Sequence, residues 1–342
     1  MKSMKLLAAA LSVFFVGMSL IPVNVKAAES DQTGGFTIEG LPNDHQIDEN
    51  VSYFYLHEDP SEEDTLDLKL INASNKEITL NVLVTDANTN SNGIIDYSGD
   101  LENHSVLKTP LSSILKPESN EVKVPANSEV VTRLNLKMPS EEQEGVILGG
   151  INVSEKQEEI ENNEQKKGTI SVGNTYAYTL GVALTNDNEV DLYRNEAVEL
   201  DDVKPELFDG RKTVKAMILN PRPYIFSEAS VSGKILRKGT NKLVIEKTMN
   251  DVSIAPQSTL PFMFDWGKKE LVPGKYIFKG TVSSGERKWN LEQEFEIKAE
   301  QAKEINGESV FKVHVPQWLL ALSLLLMVTS TVGTVYLKLK KD

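Results

Sequence analysis

Apolar and polar positions alternate with a period of two along most of this chain of 342 residues. The alternation is clearest over residues 66–70, 78–84, 134–138 and 289–297, the last with an interruption at Gln293. Successive side chains of a β-strand point to opposite faces. Each of these segments therefore predicts a strand with one face toward a core and the other toward water.

Short segments rich in Asn, Ser, Gly and Pro separate the predicted strands and are typical of turns. These segments are residues 72–75, 91–93, 238–241 and 272–274. Several strands at this spacing favour antiparallel sandwiches of the immunoglobulin type. The sequence therefore predicts an all-β body of two immunoglobulin-like β-sandwich domains, with no helix of more than three turns between the two terminal segments.

The two ends of the chain carry long apolar segments. Residues 1–27 have the features of a secretory signal peptide, with two early lysines, an uncharged apolar run over residues 6–21 and small residues near the end. A polar spacer is predicted over residues 301–317. Residues 318–337 are uncharged and long enough to cross the ~30 Å core of a bilayer as a helix. With the lysines of the tail 338–342, this segment predicts a single-pass type I membrane protein.

Charge and the lack of cysteine exclude several classes of function. The chain has 36 basic residues, 50 acidic residues and no cysteine, for a net charge of −14. Nucleic-acid binding requires a basic surface, so nucleic acid is excluded as a partner. Disulfides, thiol nucleophiles and cysteine-ligated zinc are excluded as well. No Gly-x-Ser-x-Gly elbow indicates a hydrolase, and no pattern indicates a cofactor.

The predicted exported body divides at a highly charged stretch, residues 154–168, whose composition does not suit a core. In one interpretation, residues 155–168 are a linker between a first domain over 28–154 and a second domain over 169–300. In the other, the stretch is the solvated tip of a hairpin, and the first domain extends to about residue 185. Both interpretations stay open at the level of sequence.

Several segments, taken in order, resemble a known family of surface proteins. Residues 50–56, 87–97 and 145–151, with the strand pair through Val84, are similar to the N-terminal domain of WxL-interacting proteins. Residues 178–184, 214–220, 254–258, 271–276 and 289–297, with Trp266, are similar to the second domain of that family. No single motif is diagnostic, but the ordered set and the two terminal segments cover nearly the whole chain.

The resemblance implies a non-enzymatic protein anchored at the surface of a Gram-positive cell. The family's first domain is associated with peptidoglycan binding and its second with host components. Its members associate with wall-bound WxL-domain surface proteins. The first hypothesis is therefore a membrane-anchored adaptor or adhesin. The alternative is a chaperone-like scaffold whose sheet edge transiently completes a secreted subunit, and a wall-modifying enzyme is the third hypothesis.

The sharpest local pattern is similar to the start of a calcium-binding loop, because oxygen-bearing side chains occupy alternate positions before a glycine. The candidate ligands are Asp86, Asn88, Asn90, Asn92 and Asp96. The match is incomplete, since Asn stands at the usual first Asp and Gly99 stands where a bidentate Glu would close the site. Two interpretations stay open: a weak calcium site, or a hairpin loop whose asparagines tolerate left-handed backbone conformations.

Histidines and aromatic residues are the remaining candidates for binding. The four histidines, His45, His57, His104 and His314, are dispersed and lack the spacing of a helical zinc pair. Aromatic rings are better candidates because their faces stack on sugars. The candidates are Tyr53, Tyr55, Tyr176, Tyr178, Trp266 and Trp289. Alternation along the strand predicts that Tyr53 and Tyr55 share one face and Phe54 the other, with core packing as the simplest expectation for the remaining rings.

Overall fold

The computed structural model describes residues 35–156, 176–187 and 191–311, together with Met327 and Thr329. The predicted signal peptide, most of the charged stretch 155–168 and all but two residues of the predicted span 318–337 lie outside the described residues. Within the described part of the chain, no helix combines the length and the apolar character needed to cross a membrane. The described residues confirm the predicted all-β class.

Two sheets and a small hairpin build the first β-sandwich. Its strands are β1 (Phe36–Gly40), β2 (Phe54–His57), β3 (Glu63–Asn72), β4 (Ile78–Asp86), β5 (Asn88–Thr89), β6 (Ile95–Asp96), β7 (Leu115–Pro117), β8 (Glu121–Val124), β9 (Ser128–Lys137), β10 (Ile147–Glu155) and β11 (Ala177–Thr185). A short helix, α1 (Leu111–Ile114), precedes β7. One sheet has the order β1-β3-β9-β7 and the other β2-β11-β10-β4-β8, while β5 pairs with β6.

The alternation along β3 and β4 explains how these two sheets pack. Leu66, Leu68 and Leu70 of β3 are fully buried, and the residues between them lie on the outer face. They meet Leu80 and Val82 of the opposite sheet in one core cluster. Full burial of such a side chain contributes ~1.5–3 kcal/mol, so the cluster is a main source of stability for this sandwich.

The strand β11 follows the charged stretch in sequence but lies in the first sandwich. It pairs antiparallel with β10, with Ile147 opposite Leu184 and Ser154 opposite Ala177. Leu184 and Val182 are fully buried in the first core. On its other side, β11 pairs in parallel with β2. The same sheet is therefore built from residues on both sides of the charged stretch.

Seven antiparallel strands of the described chain build the second β-sandwich. They are β12 (Glu199–Phe208), β13 (Arg211–Leu219), β14 (Phe226–Arg237), β15 (Lys242–Ile254), β16 (Thr259–Asp265), β17 (Gly274–Ser284) and β18 (Arg287–Ile297). The two sheets have the orders β12-β13-β16 and β15-β14-β17-β18. The inward residues of both sheets meet in one core cluster.

The second core is richer in aromatic side chains than the first. Phe262 and Phe264 meet edge to face with ring centroids 5.0 Å apart, and Phe278 lies 6.0 Å from Phe264. Such pairs are stabilised beyond the burial of their area. Gly233 of β14 leaves the space for these rings, because a Cβ there would lie 2.8 Å from Phe262.

A second helix, α2 (Ala299–Glu308), lies where the sequence predicted the start of a polar spacer over 301–317. Ala302 and Ile305 are buried and join the second core. Residues three apart share one helix face, so these two side chains are enough to dock a helix that is otherwise polar. Asn306 adds a reciprocal pair of hydrogen bonds to the backbone of Leu271, at 2.8 and 3.0 Å. The spacer prediction is corrected over this segment.

Candidate functional site

The asparagine-rich loop between β4 and β6 lies at the contact between the two sandwiches. Thr89 Oγ1 accepts a hydrogen bond from the backbone N–H of Ala255 at 2.9 Å and lies 3.2 Å from Ser258 Oγ. Nearer the tip, the N–H of Ser253 donates to the carbonyl of Gly93 at 2.8 Å. Thr89 and Ser258 are both buried. The loop therefore forms a buried polar contact with the second sandwich, and we call this region the junction.

Two of the five predicted calcium ligands are bound within the protein. Asp86 accepts hydrogen bonds from the N–H and the hydroxyl of Ser112, at 2.8 and 2.7 Å, and from the amide of Asn103 at 2.7 Å. Asn88 donates to Asn103 Oδ1 at 2.9 Å. Both side chains are buried, so these bonds satisfy groups that would otherwise be costly to remove from water.

The other three candidates lie toward the tip of the loop. Asn90 Oδ1 accepts from the N–H of Asn92 at 3.0 Å, while Asn92 itself is exposed. Asp96 accepts from the N–H of Ser98 at 2.8 Å. Burial alone would raise the pKa of Asp96, but hydrogen bonds from Ser98 and Asn90 outweigh it and lower the pKa. Turn-forming hydrogen bonds of this kind account for the Asn-rich pattern.

An apolar cluster completes the junction. Its buried members are Tyr55, Val146, Ala183, Leu192, Tyr224 and Ile225. The N–H of Val146 donates to the carbonyl of Pro223 at 2.9 Å. Gly145 has φ +71°, and a Cβ there would lie 2.4 Å from the same carbonyl oxygen. Only glycine allows both this conformation and this approach, so the two sandwiches are packed as closely as a core.

Beside the junction, three tyrosines lie together and form what we call the tyrosine surface: Tyr53, Tyr97 and Tyr193. Gly150 and Gly181 are register partners on β10 and β11. A Cβ on Gly150 would lie 3.3 Å from Tyr97 Cβ, and a Cβ on Gly181 would lie 3.5 Å from Tyr53 Cβ. The paired glycines thus let both tyrosines approach the sheet, while Tyr193 from the second sandwich is 58% exposed.

The tyrosines of this surface affect one another's pKa. Burial raises the pKa of Tyr97 to about 12, and the neighbouring Tyr193 and Tyr53 add to the shift. Burial and Tyr193 likewise raise the pKa of Tyr53. Tyr53 and Tyr97 therefore stay protonated at neutral pH and can donate hydrogen bonds, while their ring faces offer apolar area. Rings and hydroxyls together suit a sugar ligand.

The sequence indicated only part of this surface. Tyr53 was among the aromatic candidates, and Tyr97 ends one of the segments that resemble the WxL-interacting proteins. Tyr193 lies outside any alternating segment, so no pattern marks it. Phe54 faces the first core, and Tyr53 and Tyr55 lie on the opposite face of β2, as the alternation predicts. Phe54 and Tyr55 are nevertheless both buried. The second sandwich covers the face that carries Tyr55.

The other aromatic candidates pack mainly within the sandwiches. Trp289 meets Phe226 with ring centroids 5.1 Å apart, and Trp266 is buried with its ring 6.2 Å from Tyr276. Tyr176 packs against the first core. Tyr178 is 36% exposed and meets Phe36 edge to face at 5.1 Å. None of these is placed at the junction.

One histidine–carboxylate cluster was not anticipated from the sequence, and we define it by His45, Glu58 and Glu62. His45 Nδ1 lies 3.1 Å from Glu58 Oε2 and 3.8 Å from Glu62 Oε1. The Glu58 side chain is fully buried, and this burial raises the pKa of its carboxyl to about 7. In sequence the two acids belong to an ordinary acidic turn, and His45 is 13 positions away from the nearer one.

The remaining histidines lie apart from this cluster. His57 Nε2 lies 3.0 Å from the carbonyl oxygen of Asn186. His104 Nε2 lies 3.6 Å from Asp201 Oδ1, which belongs to the second sandwich. His314 lies outside the described residues.

The second sandwich has a polar groove of about 840 Å³ on the outer face of its four-stranded sheet. Ser232, Thr281 and Asn290 form one row across neighbouring strands, and Lys234 and Lys279 belong to the next. Glu246 and Glu292 also line the groove, and Glu292 pairs with Lys279 at 3.0 Å. The groove therefore offers hydroxyl, amide, ammonium and carboxylate groups to a polar ligand.

The fold, the buried junction and the polar outer surfaces define a two-domain all-β protein of the β-sandwich class. The family model for the WxL Interacting Protein peptidoglycan binding domain matches residues 36–155, and the model for the host binding domain matches residues 167–307. The chain belongs to the WxL Interacting Protein family. The second match includes β11, although this strand pairs within the first sandwich.

The solved structures that match this chain share little sequence identity with it. A chaperone–tip adhesin complex of CFA/I fimbriae biogenesis matches at 10% identity and a TM-score of 0.29, over 77% of this chain and 98% of its own. The E. coli chaperone DraB matches at 13% identity and a TM-score of 0.29, over 72% and 95%. The Pseudomonas aeruginosa CupB2 chaperone matches at 14% and 0.26, over 68% and 95%. A comparison with curated proteins gives no significant match.

Proposed function

We propose that this protein is a non-enzymatic adaptor of the cell surface that binds peptidoglycan through its first sandwich and host components through its second. We also propose that it associates with a WxL-domain surface protein. The two family matches support this function, because their descriptions name peptidoglycan and host binding. The junction supports it as well, because a buried contact fixes the two binding domains relative to each other. We place the domain border between β11 and β12.

Anchoring in the cell membrane is part of the proposal. Its support is the uncharged segment 318–337, which has Trp318 and Tyr336 near its ends and lysines directly after it. The apolar run within residues 1–27 supports export by a signal peptide. A tether of this kind raises the local concentration of the two binding domains, so individually weak contacts give avidity.

The tyrosine surface is the observation that carries peptidoglycan binding. The glycan strands of peptidoglycan present apolar sugar-ring faces and many hydroxyl and amide groups. Aromatic faces and phenol hydroxyls match both features. The surface is also held in place, because Tyr53 and Tyr97 approach a sheet and Tyr193 is carried by the second sandwich across a packed junction.

The chaperone-like alternative requires an accessible sheet edge, and the described edges of the first sandwich are short. The edge strands β1, β2, β7 and β8 have 5, 4, 3 and 4 residues. In the second sandwich the edge strand β15 has three register shifts against β14, whereas the opposite edge strand β18 pairs with β17 over 11 residues without a shift. Short and bulged edges discourage the addition of a partner strand. For the first sandwich we therefore favour binding through the faces of the sheets.

Co-sedimentation of the full-length protein, in detergent, with purified peptidoglycan sacculi tests the first part of the proposal. Tyr193→Ala should weaken binding by ~5–10-fold, because an exposed ring that stacks on a sugar is lost. Tyr178→Ala is the matched control, since Tyr178 is a partly exposed tyrosine of the first sandwich that lies away from the junction. Equal binding by the wild-type protein and both variants would overturn the tyrosine surface as the peptidoglycan site.

Capture experiments test the second part of the proposal. The full-length protein should enrich secreted WxL-domain proteins from the same organism over an unrelated acidic ectodomain used as bait. Host matrix components should bind through the groove, so Asn290→Ala should weaken that binding and leave sacculus binding unchanged. Enrichment no greater than that of the control bait would end the adaptor hypothesis.

A further inference from the structure

We propose that His45, Glu58 and Glu62 form a binding site for a first-row divalent transition cation, with Zn²⁺ as the representative ion. The site joins the loop after β1, which carries His45, to the loop after β2, which carries both glutamates. It lies apart from the asparagine-rich loop for which calcium was considered.

The distances between the three donor groups suit one small cation. His45 Nδ1 is 3.1 Å from Glu58 Oε2 and 3.8 Å from Glu62 Oε1, and one donor atom from each residue lies within 4.8 Å of the others. A tetrahedral zinc ion with bonds of ~2.0–2.2 Å holds its ligand atoms ~3.4 Å apart. Small side-chain adjustments therefore bring all three atoms into coordination.

An unpartnered buried oxygen independently indicates a ligand. Glu58 has a fully buried side chain, and its Oε1 has no hydrogen-bond donor in the described structure. Its other oxygen, Oε2, is the one that faces His45. A buried carboxylate oxygen without a partner is unfavourable, because it has lost its water and gained nothing in return. A cation that Glu58 binds through both of its oxygens, between His45 and Glu62, supplies the missing partner.

The site has both an access path and a rigid frame. His45 and Glu62 have side chains that are 33% and 29% exposed, so an ion can enter from solvent. The second oxygen of Glu62 accepts from the N–H of Asp59 at 2.6 Å. The N–H of Glu58 donates to the carbonyl of Thr185 at 2.9 Å, at the end of β11. Ion binding would thus brace two loops against the last strand of the first sandwich.

The donor set selects the class of metal. Calcium and magnesium prefer sites made of oxygen ligands, whereas imidazole nitrogen suits zinc, copper, iron and nickel. One nitrogen and two carboxylates leave a fourth position for water or for a donor from a partner molecule. The structure therefore points to a transition cation of the zinc type.

Metal titration of the full-length protein, purified in detergent and stripped with a chelator, tests the site. We expect Zn²⁺ to bind with a stoichiometry of one and to raise the unfolding temperature by ~5 °C at saturating ion. Co²⁺ should bind in place of Zn²⁺ and give the visible absorption of a tetrahedral site. The absence of saturable Zn²⁺ binding would overturn the proposal.

Matched variants separate this site from adventitious binding. His45→Ala and Glu62→Gln change partly exposed side chains and should each weaken Zn²⁺ binding at least ~10–100-fold, with loss of the cobalt spectrum. Glu63→Gln is the control, because Glu63 is the next residue but pairs with Lys137 at 2.6 Å on the surface. Zinc binding that survives in His45→Ala and Glu62→Gln as well as it does in Glu63→Gln would contradict the proposal.

Discussion

The asparagine-rich loop and the His45–Glu58–Glu62 cluster are two polar regions of the same sandwich that differ in how their oxygens are satisfied. In the loop, the buried carboxylate of Asp86 accepts three hydrogen bonds. In the cluster, the buried carboxylate of Glu58 has one oxygen with no donor. The loop has a recognisable spacing of ligands and the cluster has none. The comparison teaches that a buried polar atom without a hydrogen-bond partner is a better sign of a ligand site than the spacing of candidate ligands along the sequence.

The difference follows from where the two regions lie. The loop contacts the second sandwich, and its polar groups are used to build the junction through Thr89 and the turn at Asn90. The cluster lies between two loops of the first sandwich, where no other element supplies donors to Glu58 Oε1 within the described residues. Polar side chains of the loop thus take part in the contact between the sandwiches, whereas in the cluster one carboxylate oxygen has no hydrogen-bond donor.

The largest expected loss of stability comes from adding a side chain at Gly145, where the two sandwiches are in close contact. Gly145→Ala adds a Cβ 2.4 Å from the carbonyl oxygen of Pro223 at a residue with φ +71°, and should lower the free energy of unfolding by ~2–4 kcal/mol. Gly239→Ala is the matched control, because Gly239 also has positive φ but has no atom within 4 Å of the added Cβ. Its cost should be ~1 kcal/mol. Equal losses in denaturant unfolding would mean that the junction is not tightly packed.

The next largest loss of stability tests whether the side-chain oxygens of the asparagine-rich loop stabilise the fold rather than bind calcium. Asp86→Asn replaces one accepting oxygen with an NH2 group, which donates and cannot accept, so it should lower the free energy of unfolding by ~2 kcal/mol with or without calcium. Asp96→Asn is the comparison, because Asp96 is less buried and accepts from its own turn; its loss should be smaller. Denaturant unfolding of each variant, once with chelator and once with calcium, measures the two losses of stability. A loss seen only when calcium is present would identify Asp86 as a calcium ligand and break the comparison.

The smallest expected effect is at Glu58. In chelator, Glu58→Gln keeps the shape of the side chain and removes the cost of burying a carboxylate, so the free energy of unfolding should change by less than ~1 kcal/mol or rise. The same variant should lose the thermal stabilisation by Zn²⁺. A loss as large as that of Asp86→Asn in metal-free protein would show that the carboxylate of Glu58 already has a strong partner.

The alternation of apolar residues was enough to predict the two cores. Leu66, Leu68 and Leu70 point inward as their period of two requires, because a sheet with one wet face selects this pattern. The ten-residue helix α2 was missed, because only Ala302 and Ile305 mark its buried face in a polar segment. A pattern with two apolar residues does not distinguish a docked helix from a spacer.

Contacts between distant segments could not be predicted from local patterns. Tyr55 faces away from the first core and is still buried, because the second sandwich covers it. Glu58 lies in an acidic turn whose composition indicates a solvated loop, yet its backbone is bonded to Thr185 and its side chain is buried. Both facts depend on which strands meet in space, and β2 pairs with a strand more than a hundred positions later.

A paired calorimetric titration tests most directly the claim that the oxygens of Asp86 already have hydrogen-bond donors and that Oε1 of Glu58 has none. Two samples of the same chelator-stripped full-length protein receive Ca²⁺ and Zn²⁺ in parallel. We predict one equivalent of saturable heat with Zn²⁺, lost in His45→Ala, and no saturable heat with Ca²⁺. Saturable calcium binding that is lost in Asp86→Asn, together with no zinc binding, would contradict the account.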